Sequence, residues 1–112
     1  MNVSPEQLLA DLKQLTAPDR ATANETMRQQ HSRDESHHLP VMPDVVVFPT
    51  SVQEVSAVLR YANEHRIPVV PFGSGSSLEG HSIPLEGGIS LDFQRMNQIL
   101  EVRPDDFLVR VQ

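Results

Sequence analysis

Between Asp44 and Gly80 the chain spells out an apolar strand, a capped amphipathic helix, a second apolar strand and a run of small residues. Few folds accept that order. Val45, Val46, Val47 and Phe48 form a short apolar run that Pro49 closes, as in a buried strand. Ser51-Val52-Gln53-Glu54 has the spacing of a capping box, and Val52, Val55, Val58, Leu59 and Ala62 share one helical face. His65 and Arg66 suit the negative end of that helix's dipole. Ile67, Val69 and Val70 then predict a second strand. Strand, crossover helix and strand in this order predict a parallel pair with a right-handed connection.

The flanks are read the same way. Ser4-Pro5-Glu6-Gln7 places an N-cap, a first-turn proline and a capping Gln ahead of Leu8, Leu9, Leu12 and Leu15, which predicts a helix of about three turns ending before Pro18. Residues 17–43 are polar; a short helix fits within 21–30, and 31–43 reads as irregular. After the glycine-rich run, Gly87-Gly88 leads into the alternating strand Ile89 to Asp92. Met96, Ile99 and Leu100 suggest a helical turn before Val102, with Met96 in the core. Asp105-Asp106 turns the chain into a last strand from Phe107 to Val111. The expectation is an α+β chain: residues 1–43 a helical lead-in and connector, residues 44–112 a β-α-β-β unit. The final strand runs to Gln112 with no cap or turn, which reads as a truncation.

The chemistry resides in Pro71-Phe72-Gly73-Ser74-Gly75-Ser76-Ser77-Leu78-Glu79-Gly80. Gly73 and Gly75 permit left-handed backbone and close approach of a ligand. Successive N–H groups in such a turn make an anion-binding concavity, and Ser hydroxyls add donors. The dinucleotide fingerprint of a doubly wound sheet fails, because the glycine after Gly75 falls at Gly80 and not at position 78. Gly75 to Ser82 has P-loop spacing, but His81 stands where Lys is required, and Pro84 with Gly87-Gly88 forbids the long helix that should follow. A phosphate cradle and a ligand-free Gly/Ser surface loop both remain open on these residues alone.

Composition narrows the partners. The formal charge of −6 is spread along the chain without a basic stripe, which argues against a nucleic-acid binder. Any dinucleotide would have to be held by backbone N–H groups. With no Cys there is no disulfide, thiolate metal site or thiol nucleophile, in keeping with a cytoplasmic protein. The N-terminus lacks the basic and apolar regions of a signal peptide, and no apolar run approaches the ~20 residues of a membrane span. Peripheral membrane association through a partner stays open.

The run from Asp44 to Gln112 resembles the first FAD-binding subdomain of the flavoprotein family that includes vanillyl-alcohol oxidase and p-cresol methylhydroxylase. Within that family it is most similar to the branch of cytochrome-type D-lactate dehydrogenases and the FAD subunit of glycolate oxidase. The resemblance rests on Val47-Phe48-Pro49-Thr50-Ser51, on Pro71 to Gly80, and on Glu79-Gly80-His81, Gly87-Gly88, Leu91-Asp92 and Met96. Ser32-Arg33-Asp34-Glu35-Ser36 resembles a stretch of the same branch. It implies that the chain is the first half of a two-part FAD-binding domain. Pro71 and Phe72 would lead into a pyrophosphate cradle at Gly73, Ser74, Gly75, Ser76 and Ser77, with Leu78 and Gly80 shaping the turn near the flavin. Relatives with covalent flavin carry a His where this chain has Ser76, so noncovalent FAD is expected.

For the whole protein the resemblance implies oxidation of a small 2-hydroxy acid (D-lactate or glycolate), with electrons passed to a cytochrome or quinone. Alternatives are a relative acting on 2-hydroxyglutarate or a sugar lactone, a non-redox alkyl-glycerone-phosphate synthase, or a non-catalytic nucleotide-binding module. The catalytic base, substrate-binding arginines and any metal are expected beyond Gln112, so no catalytic residue is assigned and the 112-residue chain alone is expected to be inactive. An oligomer or subunit partner fits the same picture.

The remaining polar clusters have bland readings. His31, His37 and His38 beside Asp34 and Glu35 match no metal-ligand spacing, and a solvated connector is the cheaper explanation. Asp105-Asp106 could be a carboxylate pair for acid/base work, but a turn before a strand explains it more cheaply. Glu79 has two equal readings, ribose contact or solvation. Asp92 closes a strand near the presumed cofactor.

Overall fold

The computed structural model describes residues 2–112. Helix α1 (Pro5–Leu15) begins where Ser4 Oγ accepts from the Gln7 N–H at 3.1 Å, with Pro5 in the first turn. The Gln7 side chain turns forward to Asp11 instead of back to the cap. Strand β1 (Ala21–Thr22) precedes α2 (Glu25–Gln30), capped by Asn24, so the stretch read as a short helix divides into strand and helix. Strand β2 (Val45–Val47), helix α3 (Val52–Glu64), strand β3 (Val69–Phe72) and strand β4 (Ile89–Asp92) form the central unit. A hairpin of β5 (Ile99–Arg103) and β6 (Leu108–Val111), joined through the 3-10 turn Pro104–Asp106, ends the described chain. The α+β expectation holds.

The main sheet runs β1-β2-β4-β3, with β1 antiparallel and the other three parallel. The parallel pair expected of β2 and β3 is therefore separated: β4 lies between them and hydrogen-bonds to both. Central position explains why all four residues of β4 are buried. Leu8 and Leu12 of α1, Val58 and Ala62 of α3, and Val45, Val47, Ile89 and Leu91 of the sheet form one core. Two residues assigned to the apolar face of α3, Val52 and Leu59, point outward instead (69% and 46% exposed). The core takes only Val58 and Ala62 of α3 as buried residues, with Val55 partly buried against it. His65 caps α3 and Arg66 follows with φ of 53°, so both lie just past the last turn. The helical turn expected around residues 96–100 is not formed. Ile99 and Leu100 enter β5, where pairing with β6 overrides their helical spacing, and Met96 is only half-buried.

The hairpin packs mainly on itself. Ile99, Leu100, Val102, Leu108, Val109 and Val111 are all more than half exposed. No described helix is long and apolar enough to cross a membrane.

Arg20 ties the lead-in to the central unit. Its Nη1 donates to Thr50 Oγ1 at 2.9 Å and to Glu54 Oε1 at 2.5 Å, and the Thr50 N–H donates to the same Glu54 oxygen at 3.0 Å. The Arg20 hydrogen bond, followed by those from Thr50, holds the Glu54 carboxyl at about 2, below its ordinary 4.5. A carboxyl lowered on folding contributes stability that is complete above its ordinary value and lost as pH falls through the folded one. The contribution should fade between about pH 4.5 and about pH 2. We expect Arg20→Ala to cost about 1 kcal/mol at pH 7 in urea denaturation and next to nothing below pH 2. An equal cost at both pH values would show that the charge pair is not its source.

Candidate functional site

The glycine-rich segment leaves the C-terminal edge of β3 and crosses the end of β4, where open α/β sheets present ligand crevices. Pro71, Phe72, Gly73, Ser74, Gly75, Ser76 and Ser77 line an open groove of about 400 Å³ with His81, Ser82 and Phe93. Seven of the nine residues predicted for the site meet in this groove. Leu78 and Gly80 do not line it: Leu78 is 70% exposed, and Gly80 packs against the ring of His38.

The two leading glycines do different work. Gly75 has φ of 73°, and a Cβ there would lie 2.7 Å from Phe72 Cζ, so the loop rests on the Phe72 ring. Gly73 was expected to use the left-handed region as well, but it lies outside it. Its missing side chain leaves space: a Cβ at Gly73 would meet nothing within 4 Å. The turn is made at Gly75, and Gly73 keeps the groove's wall clear.

Among the described residues, no protein oxygen accepts from the N–H groups of Gly73, Ser74, Gly75, Ser76 or Ser77. Five successive donors without an internal partner, on a loop seated on the Phe72 ring at Gly75 and open at Gly73, suit the oxygens of a pyrophosphate. No lysine or arginine lines the groove, so the complement to such a charge would have to come from the backbone. Phe72 and Phe93 provide apolar wall. Ser74 Oγ and Ser76 Oγ lie 2.8 Å apart, and Ser77 Oγ lies 3.0 Å from His81 Nδ1. This donor set, free space and apolar wall fit a dinucleotide bearing a flat ring.

The connector forms the loop's outer support. The Glu35 N–H donates to the Ser77 carbonyl at 2.9 Å. Asp34 Oδ1 accepts from the N–H and hydroxyl of Ser36, which hold its carboxyl below the ordinary range. A second hollow of about 430 Å³, lined by Gln30, Arg33, Asp34, Glu35, Phe72, Ser74 and Gly75, lies on this side. The sequence carried one signal for this arrangement, the Ser32 to Ser36 stretch, but gave no indication that it touches the loop.

The solvated-connector reading fails for His31. Its side chain is buried and bonded to Asp92, also buried, at 2.6 Å; His37 and His38 stack at the surface. Asp92 thus faces His31 and closes β4 from within. Glu79 is exposed, its N–H donating to Ser77 Oγ at 3.3 Å. Phe93, His81 and Ser82 were not singled out for the groove, because only the fold carries them there.

The model of a family described as an FAD binding domain matches residues 43–112. A probable mitochondrial D-lactate dehydrogenase of Danio rerio is 38% identical over 107 residues, covering 96% of this chain and 22% of the relative. The glycolate oxidase subunit GlcD of Bacillus subtilis (strain 168) shows the same identity and coverage. An alkyldihydroxyacetonephosphate synthase structure superposes with a TM-score of 0.82 at 26% identity, over 96% of this chain and 24% of that one. The chain spans about a fifth of the length of the curated relatives it matches.

Proposed function

The chain belongs to the FAD binding domain family, and from that premise we propose that it is the cofactor-holding part of a flavin-dependent dehydrogenase of small 2-hydroxy acids. Its cofactor is FAD. The observation that carries the reading is the groove at the end of β3 and β4, where N–H groups of residues 73–77 lack internal acceptors and Gly73 leaves open space. In this reading Gly73, Ser74, Gly75, Ser76 and Ser77 hold the pyrophosphate, Pro71 and Phe72 set the approach, and Leu78 and Gly80 shape the turn. Ser76 offers no imidazole for a flavin bond, so FAD is held noncovalently. The flavin, when bound, supplies hydride acceptance, and the protein supplies binding, orientation and electrostatics. The names D-lactate dehydrogenase and glycolate oxidase among its relatives support D-lactate or glycolate as substrate. Electrons would pass to a cytochrome or quinone, and the groups that activate the substrate would come from sequence beyond this chain.

The first test is titration of the purified chain with FAD, followed by flavin fluorescence and absorbance. We expect saturable binding, and acid precipitation should leave the flavin in the supernatant. Flavin that stays with the pellet would refute noncovalent attachment. Extended to the length of its relatives and loaded with FAD, the protein should lose its visible flavin absorbance on anaerobic addition of D-lactate or glycolate. Absorbance unchanged by either acid would sink the 2-hydroxy-acid reading.

A further inference from the structure

His31 and Asp92 stand 61 positions apart in sequence, yet only 5% and 4% of their side chains are exposed. His31 Nδ1 lies 2.8 Å from the Met27 carbonyl oxygen, and Nε2 lies 2.6 Å from Asp92 Oδ2. A carbonyl oxygen only accepts, so Nδ1 carries a hydrogen. A second hydrogen lies between Nε2 and Oδ2, since two bare lone pairs would repel at that distance. Asp92 Oδ1 accepts from the Gln94 N–H at 2.8 Å, so both carboxyl oxygens are held. The imidazole can therefore take only one orientation.

That orientation matters because of what the ring touches. It lies against Phe72, with centroids 4.3 Å apart and planes tilted 46°, and meets Phe48 at 5.9 Å and 82°. Phe72 pairs in register with Asp92, and its carbonyl accepts from the Phe93 N–H at 3.1 Å. The same Phe72 ring is the floor beneath Gly75. Replacing a buried ion pair by well-packed apolar side chains is often neutral or stabilising. What the hydrogen-bonded pair adds is a single geometry, transmitted by direct contact from the connector to the loop.

We propose that His31 and Asp92 are positioning residues of the cofactor loop. Their buried pairing locks the His31 ring, the ring seats Phe72, and Phe72 holds Gly75 at the height that aligns the N–H groups of residues 73–77. The inference rests on the FAD reading only for its binding readout. Support for a binding group from a second layer of fixed side chains is the general way in which such groups are held to sub-ångström tolerance.

The test follows backbone amide NMR signals of the ligand-free chain, then its FAD affinity. Asp92→Ala should displace and broaden the signals of Gly73, Ser74, Gly75, Ser76 and Ser77 while those of α1 and α3 stay in place. FAD affinity should fall about tenfold, the equivalent of about 1.4 kcal/mol. Asp92→Asn can donate to a neutral His31 Nε2 and still accept from Gln94, so loop signals and affinity should return to within about twofold of wild type. Unmoved loop signals in a folded Asp92→Ala chain overturn the proposal, and so does failure of Asp92→Asn to rescue. Should Asp92→Ala not fold, His31→Phe combined with Asp92→Asn decides, because it keeps a ring and buries no charge. Displaced loop signals there uphold the proposal and unmoved ones overturn it. A wild-type chain with an ordered loop and no FAD binding would sink the cofactor reading, leaving the amide signals to judge the pair.

Discussion

Gly73→Asp should weaken FAD binding by on the order of 1000-fold and leave the fold untouched. The position is open, with nothing within 4 Å of an added Cβ, and its backbone lies outside the left-handed region. Thermal stability should therefore stay within about 0.5 kcal/mol of wild type. The carboxylate, however, would project from the wall of the groove where the proposed pyrophosphate would meet the N–H groups of residues 73–77. Two like charges about 4 Å apart at an effective dielectric near 20 repel by about 4 kcal/mol, which corresponds to a loss of affinity on the order of 1000-fold. Gly73→Asn, matched in size but uncharged, should lose less, and added salt should recover part of the Asp variant's deficit through screening. Titration of the three chains at low and high salt checks this. Retention of wild-type affinity by Gly73→Asp would remove the loop from the site altogether. Gly75 is a poorer place for the experiment, since any side chain there meets the Phe72 ring at a φ of 73°.

Gly88→Ala should be the most damaging single methyl in the chain. Gly88 has φ of 79°, and its Cβ would run into the backbone carbonyl of Pro68, which cannot swing away because it accepts from the Ile89 N–H at 2.9 Å. Gly88 also joins β2 to β4: its carbonyl accepts from the N–H groups of Asp44 and Val45, and its N–H donates to Asp44 Oδ2 at 2.7 Å. Left-handed backbone costs a residue with a Cβ about 1–2 kcal/mol, and an inserted methyl in a packed site about 1–3 kcal/mol more. A combined loss of about 3 kcal/mol lowers Tm by on the order of 10 °C in a domain this small. Calorimetry against Gly73→Ala, the same methyl placed in open space, isolates the steric origin. Equal stability of the two variants would contradict the packing around Gly88.

The elements with local causes were legible in the sequence. Ser4 with Pro5 and Ser51 with Glu54 mark helix starts because an N-cap is a contact between neighbours three residues apart. The Val45 to Val47 strand announces itself by an unbroken apolar run, and the loop from Gly73 to Ser77 by residues that lack bulk. What failed were readings that depend on distant partners. Ile99 and Leu100 have helical spacing but form a strand because β6 pairs with it, and Val52 and Leu59 share the spacing of the helix's apolar face but stay exposed while Val58 and Ala62 enter the core.

The sequence by itself thus determined the α+β class, the strand–helix–strand unit and the place of the small-residue loop after β3, because these follow from backbone preference and the periodicity of side chains along a few turns. Only the tertiary structure decided that β4 enters between β2 and β3, that Phe93 and His81 join the groove, and that His31 is buried against Asp92. Strand order and a contact across 61 residues depend on which surfaces bury one another best, a sum over the whole core that no local stretch of chain records.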